Sequence, residues 1–497
     1  MDDITRSLVA ILGDSNVLDD PALLASYERD ESVAGRRPAL VARPGSSDEV
    51  QRLVAWANET GTPLVPVSSG GPHFHGDTVP GVPGAVMVEL VRMKKILRID
   101  RRNRMTVIEP GVTYPELQAA LAAEGMRVTP PFAPRANKSV VASLLERQPT
   151  LIPRYNFHLP EPLRDCGVVW GSGQLMFTGE AGGGPLSLED QWCSGVVQAE
   201  HKGPAQTDFF RFLTGAQGSM GVVTWASVKC ELVAAVREVR VVSAERLDDL
   251  VPFLYRLNRV RLGDEVLVLN GALLARLLAA AGEKAGDLPA WNVLLGLGGR
   301  RHLAGERVRV QLEDLAALAA DHDLALAGVV GGVDAARLLD AASGCCETPW
   351  KLAASGGSCD VFFLTTLDRV GGFIETAREA ARSAGVDPAA LGVYVQPQHQ
   401  GVAQHVEISL PYDPSDAATA ADMKTLADDL AADLIAAGAY FSRPYGPWAK
   451  PAYDRAPAST AALRKVKAIF DPAGIMNPGK LCFDAPTATP APVGREA

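Results

Sequence analysis

Glycine-rich segments beside predicted strands constrain the fold of this chain more than any other feature of its sequence. Ser68–Gly76 follows the predicted strand Pro63–Val67, and Thr214–Gly221 runs directly into the predicted strand Val222–Thr224. Glycine lets a backbone approach a ligand closely, and consecutive backbone amides can form an anion-binding concavity. Each segment is therefore either a tight turn or a phosphate-binding loop. A Walker loop is excluded, because no Gly-Lys-Ser/Thr follows Ser68–Gly76.

A third glycine cluster, Gly296–Gly299, follows a predicted strand and resembles part of a dinucleotide-binding fingerprint. Arg301 stands where the last glycine of that fingerprint belongs, and no acidic residue ends a following strand. We therefore do not expect a nicotinamide cofactor at this cluster.

The local patterns predict an α+β fold, and 497 residues favour two or three lobes. A strand at 39–42 precedes a capping box formed by Ser46 and Glu49. Helical spacing of apolar residues then continues to Gly61, and Pro63–Val67 follows as a second strand. The N-terminal half therefore alternates strands and helices.

The pattern of apolar and charged residues changes from Val236 onwards. Predicted strands at 266–269 and 291–295 alternate with predicted helices at 273–281 and 306–320. This order is typical of a βαβ-like α+β unit and predicts a second domain.

Two further stretches depart from this regular pattern. Residues 133–186 are rich in Pro and Gly and show little periodicity, and their aromatic, Arg and His content favours a functional loop region. The C-terminal part contains a predicted helix at 463–470 and a turn at 471–474. After Phe483 the Ala/Pro/Thr-rich tail is predicted to be unstructured.

Composition excludes several classes of partner. The formal net charge of −10 argues against nucleic acid, which normally selects a basic surface. No apolar run reaches the roughly 20 residues that cross a bilayer, and the N-terminus lacks the order of a secretory signal. Seven irregularly spaced cysteines predict neither a disulfide framework nor an iron–sulfur site, so we expect a cytoplasmic protein.

Four motifs, taken in order along the chain, resemble the FAD-binding vanillyl-alcohol oxidase and p-cresol methylhydroxylase (PCMH-type) family. The match extends from about Ala39 to Phe483. The motifs are Pro66–Gly70 with Gly76, Glu109–Val112, Gly215–Thr224 and Asp471–Lys480. Each motif alone is common, whereas their shared order is specific. The resemblance implies an FAD-dependent oxidoreductase.

The resemblance also implies a domain organisation. A two-subdomain FAD-binding domain is expected from 1–235 together with a returning segment at 437–483. A central α+β cap over 236–436 is expected to cover the substrate, and 484–497 is expected to be a disordered tail.

In this family the glycine loops, a turn near Ser139 and the C-terminal motif hold the cofactor. The residues implied to bind FAD are Ser68, Ser69, Gly70, Gly71, Pro72, His73, Gly76, Ser139, Val140, Ser143, Gly215, Gly218, Ser219, Gly221, Val223, Asn477 and Lys480. Some relatives link the flavin to a histidine near His73 and His75. Because Pro72 separates these histidines from the paired glycines, we expect non-covalent FAD.

Within the family, the branch that oxidises 4-substituted phenols is nearest. The resemblance implies that Arg443 and Tyr440 fix a substrate oxygen. It also implies that Tyr155 and His158 are the Tyr-x-x-His motif of this branch and belong to the catalytic site. A fixed cation lowers the pKa of a phenol and stabilises its anion. The sequence departs from the branch pattern at Ala142, Ser143, Phe157 and Ser442, which leaves the 4-alkylphenol substrate open.

His405 and Glu407 form a separate candidate pair. On an alternating strand they face the same side, where Glu407 can orient His405 as a base. With His399 they could instead bind a divalent metal, as in the 2-hydroxyacid dehydrogenases of the same superfamily, or His405 could be a structural hydrogen-bonding residue. We predict no metal site.

Three functions follow from these residues. The first is an FAD-dependent dehydrogenase or oxidase that takes a hydride from a small phenolic or aromatic alcohol-type substrate. The second is a 2-hydroxyacid dehydrogenase that acts with or without metal assistance, and the third is a catalytically idle flavin-fold subunit. The electron acceptor is left open between oxygen, a cytochrome and an iron–sulfur protein. Among soluble oligomers the homodimer is the commonest, so a homodimer is the assembly expected here.

Overall fold

A computed structural model of the chain describes residues 3–32, 35–155, 161–178, 187–194, 209–353 and 355–484. Its strands are Val17–Leu18 (β1), Leu40–Ala42 (β2), Leu64–Val67 (β3), Val86–Glu89 (β4), Ile96–Asp100 (β5), Met105–Ile108 (β6), Met126–Arg127 (β7), Leu163–Trp170 (β8), Leu175–Phe177 (β9), Gly221–Lys229 (β10), Glu231–Leu232 (β11), Val236–Ala244 (β12), Glu265–Asn270 (β13), Trp291–Gly299 (β14), Leu326–Ala327 (β15), Val329–Val330 (β16), Val333–Asp334 (β17), Gly357–Thr365 (β18), Gly392–Gln398 (β19) and Ala403–Tyr412 (β20). Its α-helices are Asp3–Leu12 (α1), Pro21–Ser26 (α2), Ser47–Thr60 (α3), Tyr114–Ala123 (α4), Val140–Leu145 (α5), Leu188–Ser194 (α6), Leu247–Val260 (α7), Gly271–Ala280 (α8), Ala304–Ala320 (α9), Ala335–Ser343 (α10), Trp350–Ala353 (α11), Val370–Ser383 (α12), Ala417–Ala436 (α13), Ala449–Asp454 (α14) and Pro457–Phe470 (α15).

The first sheet has the strand order β1-β2-β4-β3, with β2, β4 and β3 parallel. Helix α3 begins as its sequence predicts, because the Ser46 side chain accepts a hydrogen bond from the Glu49 amide. It ends at Gly61, whose φ of 67° is the left-handed conformation that glycine adopts without strain. The β3 strand delivers the chain directly into the first glycine loop.

The second sheet is antiparallel, with the order β5-β6-β10-β8-β9. The second glycine loop leads into β10, the central strand. Contrary to the expectation of an irregular region at 133–186, this part of the chain supplies α5, β8 and β9. The eight-residue strand β8 was hidden because Gly167 and the flanking polar residues interrupt its apolar run.

The third sheet has seven strands in the order β15-β12-β14-β13-β19-β20-β18. Every pairing in it is antiparallel, so the βαβ-like description was wrong: the predicted elements exist, but their strands do not run parallel. Val406 and Ile408 of β20 pack into the core formed with α7, α9, α12 and α13. Because side chains alternate along a strand, His405 and Glu407 lie on the opposite face.

The chain returns to the first sheet near its C-terminus. The Leu64 amide donates to the Ile475 carbonyl, and the Asn477 amide donates to the Leu64 carbonyl, each at 2.8 Å. Phe470, the last residue of α15, stacks on Trp170 of β8 with ring centroids 4.0 Å apart. We propose that 437–483 completes the domain begun by 1–235 and that 236–436 is the cap, which this return and the sheet membership support. The tail prediction at 485–497 lies outside the described residues.

Candidate active site

A cleft lies between the two glycine loops and one face of the seven-stranded sheet. The predicted site residues that line it are Ser68, Ser69, His73, Gly215, Gly218, Gly221, Val223, His405, Glu407 and Arg443. The loops that hold a cofactor and the strands that carry acid–base side chains therefore meet in one cavity.

Glycine is required where the second loop and the start of β10 pack against neighbouring strands. Gly218 has a φ of 69°, and a Cβ there would lie 2.6 Å from Cγ of Pro66. A Cβ at Gly221 would lie 2.5 Å from the carbonyl oxygen of Val169. Distances below about 3 Å are repulsive, so a larger residue at Gly218 would push the second loop away from β3, and one at Gly221 would disturb the pairing of β10 with β8.

The C-terminal motif ties these loops together from behind. The Asn477 Nδ2 donates to the carbonyl oxygens of Asp77 and Gln217, both at 2.7 Å. The Lys480 Nζ donates to the carbonyl oxygens of Gly76 at 2.6 Å and Val79 at 2.7 Å. Asn477 and Lys480 thus position the loops rather than line the cleft.

We expect Lys480→Met to weaken FAD binding at least about tenfold, equivalent to about 1.4 kcal/mol. Hydrogen bonds from charged groups contribute about 1.5–3 kcal/mol each, and this variant removes two that fix the first loop. Quenching of FAD fluorescence on titration with the apoprotein measures the change. Lys465→Met is the control, because Lys465 is exposed on α15; equal affinity of the two variants would contradict the positioning role.

The cofactor end of the cleft carries a half-buried cation, Arg135, and a buried one, Lys138. The Arg135 guanidinium donates to the Gly70 carbonyl at 3.1 and 2.8 Å, and Lys138 pairs with Glu146 at 2.5 Å. Burial lowers the pKa of both cations. Loop amides with nearby cations suit the pyrophosphate of a dinucleotide, so these residues fit FAD.

Aromatic rings enclose the substrate end. Phe132 stacks on Tyr394 with centroids 4.6 Å apart, and Trp350 meets Phe132 edge-on at 5.4 Å. Phe362 and Tyr445 also line the cleft, with their centroids 5.9 Å apart. Such a box accepts a planar apolar ring.

A polar cluster lies against this box. The Lys351 Nζ contacts Glu407 Oε1 at 2.6 Å, and Glu407 Oε2 lies 3.5 Å from His405 Nε2. Burial alone would raise the pKa of Glu407, but the positive charge of Lys351 stabilises the carboxylate and holds this pKa below its usual range. Burial lowers the pKa of His405, so its imidazole is neutral at pH 7.

Arg443 is a cation at the substrate end of the cleft. No carboxylate among the described residues pairs with it. It is 4% exposed, donates to the Glu146 carbonyl at 3.1 Å, and lies over the Phe362 ring at 4.3 Å. A buried guanidinium without an anion is a ready partner for an anionic ligand.

The structure corrects the expectation for two tyrosines. Tyr440 is 59% exposed and lies outside the cleft, because its backbone pairs with Leu364 at the sheet edge. Tyr445, five residues later, lines the cleft instead. Tyr155 is buried in a separate small cavity and donates to Glu231 at 2.8 Å. His158 lies outside the described residues.

The remaining cofactor candidates are not among the residues that line the cleft. Ser139 caps α5 and its amide donates to the Ser69 hydroxyl at 3.1 Å, while Ser143 accepts from the Tyr114 hydroxyl at 3.1 Å. Direct contact with FAD stays a prediction for them all. The residues of this group are Gly70, Gly71, Pro72, Gly76, Ser139, Val140, Ser143 and Ser219.

His73 and His75 both line the cleft, and burial lowers the pKa of each imidazole to about 3. Both are therefore neutral at pH 7. Non-covalent FAD stays a prediction.

A metal site is not formed by the residues considered for it. His399 lies exposed in the turn between β19 and β20, and Lys351 occupies the carboxylate of Glu407. Across the described ranges no group of three His, Cys, Asp or Glu side chains could hold a metal ion. In the same ranges, no helix combines the length and apolar character needed to cross a membrane.

Sequence reasoning missed Lys351 and the aromatic box. Lys351 lies in a four-residue helix, α11, and its partners Asp360 and Glu407 are 9 and 56 residues away. The clue in the sequence was the adjacent pair Trp350-Lys351, an aromatic residue beside a cation, which is too common to single out.

Family comparisons bear directly on the cleft. Residues 38–147 match the model of an FAD binding domain, and residues 290–481 match the C-terminal domain of FAD linked oxidases. The two matches together cover more than half of the chain and contain the residues of both ends of the cleft. The chain belongs to the FAD-linked oxidoreductases. The family, enzyme class and FAD cofactor predicted from the motifs are confirmed.

Three proteins of known or suggested class have sequences similar to that of this FAD-linked oxidoreductase. An uncharacterized FAD-linked oxidoreductase of Mycobacterium tuberculosis is 24% identical, covering 97% of this chain and 100% of that protein. The 4-cresol dehydrogenase [hydroxylating] flavoprotein subunit of Pseudomonas putida is 29% identical over 35% of this chain and 34% of its own. D-2-hydroxyglutarate dehydrogenase of Xanthomonas citri is 27% identical over 42% and 40%.

The fold of p-cresol methylhydroxylase, solved with substrate bound, matches this chain with a TM-score of 0.81. The identity is 19%, and the match covers 97% of this chain and 96% of the other. The predicted α+β, PCMH-type fold is therefore confirmed.

Proposed function

We propose that this FAD-linked oxidoreductase takes a hydride from a small phenolic or aromatic alcohol-type substrate bound between the glycine loops and the cap sheet. The observation that carries the proposal is Arg443, a buried cation without a carboxylate partner in the described residues, set among aromatic rings. A phenolate offers both a ring for the box and an anion for the guanidinium. The relative named 4-cresol dehydrogenase supports this substrate class.

The side chains suggest how the substrate is activated. Arg443 favours the ionised form of a bound phenol and so lowers its pKa. Neutral His405 is available to accept the proton, and Glu407, kept as a carboxylate by Lys351, stabilises the resulting imidazolium. FAD, when bound, supplies the hydride acceptor.

Anaerobic reduction of the bound flavin tests the proposal. We expect 4-alkylphenols and aromatic alcohols that carry a phenolic hydroxyl to bleach the flavin absorbance, and cyclohexanol analogues of the same size to leave it oxidised. The phenol has a far lower pKa than the alkanol, so only the phenol gives Arg443 an anion to bind. Reduction by 2-hydroxy acids but by no phenol would contradict the assignment.

A 2-hydroxyacid dehydrogenase is the second candidate, because Arg443 is equally suited to a carboxylate and one partial relative is named D-2-hydroxyglutarate dehydrogenase. Its metal-assisted form would need a divalent cation at His405 and Glu407. Loss of hydroxy-acid activity on treatment with EDTA, with recovery on adding metal, would favour it.

The electron acceptor and the assembly are narrower questions. We propose a small-molecule substrate and leave oxygen, a cytochrome and an iron–sulfur protein as acceptors to be distinguished by reoxidation of the reduced flavin in air. A homodimer and a cytoplasmic location stay predictions.

A further inference from the structure

One side chain of the second glycine loop reaches the substrate end of the cleft. Gln217 lies in this loop and lines the cleft, and its Nε2 donates to the carbonyl oxygen of Pro444 at 2.8 Å. Pro444 stands between Arg443 and Tyr445, and both of these residues line the substrate end. A loop that is predicted to hold FAD is therefore bonded to the backbone from which the guanidinium of Arg443 extends.

The backbone of Gln217 is held in an uncommon conformation. Its φ of 53° lies in the left-handed region, which residues other than glycine rarely adopt. Asn477 stabilises this conformation, because its Nδ2 donates to the Gln217 carbonyl oxygen at 2.7 Å. Earlier in the loop, the Gly215 amide donates to the Leu145 carbonyl at 2.7 Å. The carboxamide of Gln217 therefore extends toward Pro444 from a backbone that other contacts fix.

Arg443 is connected to the same loop by a second route. Its guanidinium donates to the Glu146 carbonyl at 3.1 Å. The next residue, Arg147, donates from Nε and Nη2 to the hydroxyl of Thr214, where the loop begins, at 3.0 and 2.8 Å. Neither Arg147 nor Thr214 lines the cleft, whereas Gln217 does. Gln217 is therefore the connection that belongs to the wall of the cleft itself.

We propose that Gln217 is a positioning residue that couples the second glycine loop to Arg443, so that FAD binding prepares the site for an anionic substrate. A ligand that orders the loop also orders the Pro444 carbonyl bonded to it, and a second ligand then binds to a segment that is already fixed. Such coupling is reciprocal, so the anion would strengthen FAD binding by the same factor. The substrate part of this inference rests on the proposed function, whereas the coupling of the loop to the 441–448 segment does not.

Hydrogen exchange tests the coupling without any substrate. In Gln217→Met the side chain keeps its length but loses the donor to Pro444. We expect saturating FAD to slow amide exchange in residues 441–448 about tenfold in the wild type, the effect of one hydrogen bond of ordinary strength. The same segment should slow little in Gln217→Met. Mass spectrometry of peptides from the full-length protein, with and without FAD, measures both. Equal slowing in the two proteins, or no slowing in the wild type, would overturn the inference.

Gln400→Met is a closely matched control. Gln400 also has a left-handed backbone, with a φ of 57°, and its Nε2 also donates to a backbone carbonyl, that of Asn258 at 3.2 Å. It lies in the turn between β19 and β20 and does not line the cleft. FAD should therefore slow exchange in residues 441–448 of this variant as much as in the wild type. If Gln217→Met does not take up FAD, Gln217→Asn is measured in its place, because asparagine tolerates the left-handed backbone and is shorter by one methylene group.

The substrate dependence of anaerobic flavin reduction tests the substrate part. In FAD-loaded Gln217→Met we expect the Kd of a 4-alkylphenol, read from the saturation of the reduction rate, to rise about tenfold. A general loss of stability would lower the amount of loaded protein but leave the Kd of the loaded molecules unchanged. An unchanged Kd would overturn the substrate part. A wild type that no phenol reduces would refute the proposed substrate class, and the exchange experiment would still decide the role of Gln217.

Discussion

Arg443→Ala should reduce flavin about 10²–10³-fold more slowly than the wild type with the best phenolic substrate, while retaining FAD. Loss of one preorganised electrostatic contact to a developing anion commonly has an effect of this size. Arg443 contacts a carbonyl and the Phe362 ring rather than the glycine loops, so the cofactor should stay bound. Stopped-flow absorbance under anaerobic conditions measures both the rate and the flavin content.

Arg369→Ala is a closely matched control. Arg369 also donates to a backbone carbonyl, that of Ala437 at 2.7 Å, and lies over a phenylalanine ring, Phe373, at 4.8 Å. It lies outside the cleft, so its removal should leave the reduction rate unchanged. Equal rates in Arg443→Ala and wild type would remove the anchor on which the proposed substrate class depends.

Lys467→Met should destabilise the protein by about 3–5 kcal/mol, the usual cost of leaving a buried ion pair with one partner. Lys467 pairs with Asp471, whose side chain is fully buried, and also donates to the carbonyl of Met476 at 3.0 Å. A further hydrogen bond reaches the carbonyl of Ser219 in the second glycine loop. The variant should therefore also lose FAD more readily. Urea denaturation followed by far-UV circular dichroism measures the stability, and flavin fluorescence measures the release.

Lys450→Met isolates the effect of burial. Lys450 and Asp454 have the same four-residue spacing on a helix as Lys467 and Asp471, but both side chains are largely exposed. An exposed pair of this kind contributes about 0.3–0.5 kcal/mol. If the two variants had the same urea midpoint, the buried pair would not be holding the C-terminal motif in place.

Local rules predicted the elements of the fold well. The capping box at Ser46 and the terminal Gly61 fix α3 through contacts within a few residues, so the sequence contains all the information needed. The relative direction of the strands in the third sheet could not be predicted from such local rules. Antiparallel pairing of β13 with β19 joins residues more than 100 positions apart, and no local pattern specifies it.

The site shows the same division between local and distant information. Strand alternation was enough to place His405 and Glu407 on one face, and both line the cleft. Tyr440 was misplaced by its closeness to Arg443 in sequence, because the backbone pairing with Leu364 turns it to the surface. Lys351 was missed because its meaning comes from Asp360 and Glu407 on two other strands.

The returning C-terminal segment has a consequence for biosynthesis. Asn477 and Lys480 join loops that were translated some 400 residues earlier, and 260 residues separate Asn477 from Gln217. At the usual pace of about 5–20 residues per second, the early loops wait tens of seconds for these contacts. The cap sheet, complete at Tyr412, can form before then. We therefore expect tight FAD binding only after residues 477–480 have been translated and docked, because Asn477 and Lys480 hold the two glycine loops together.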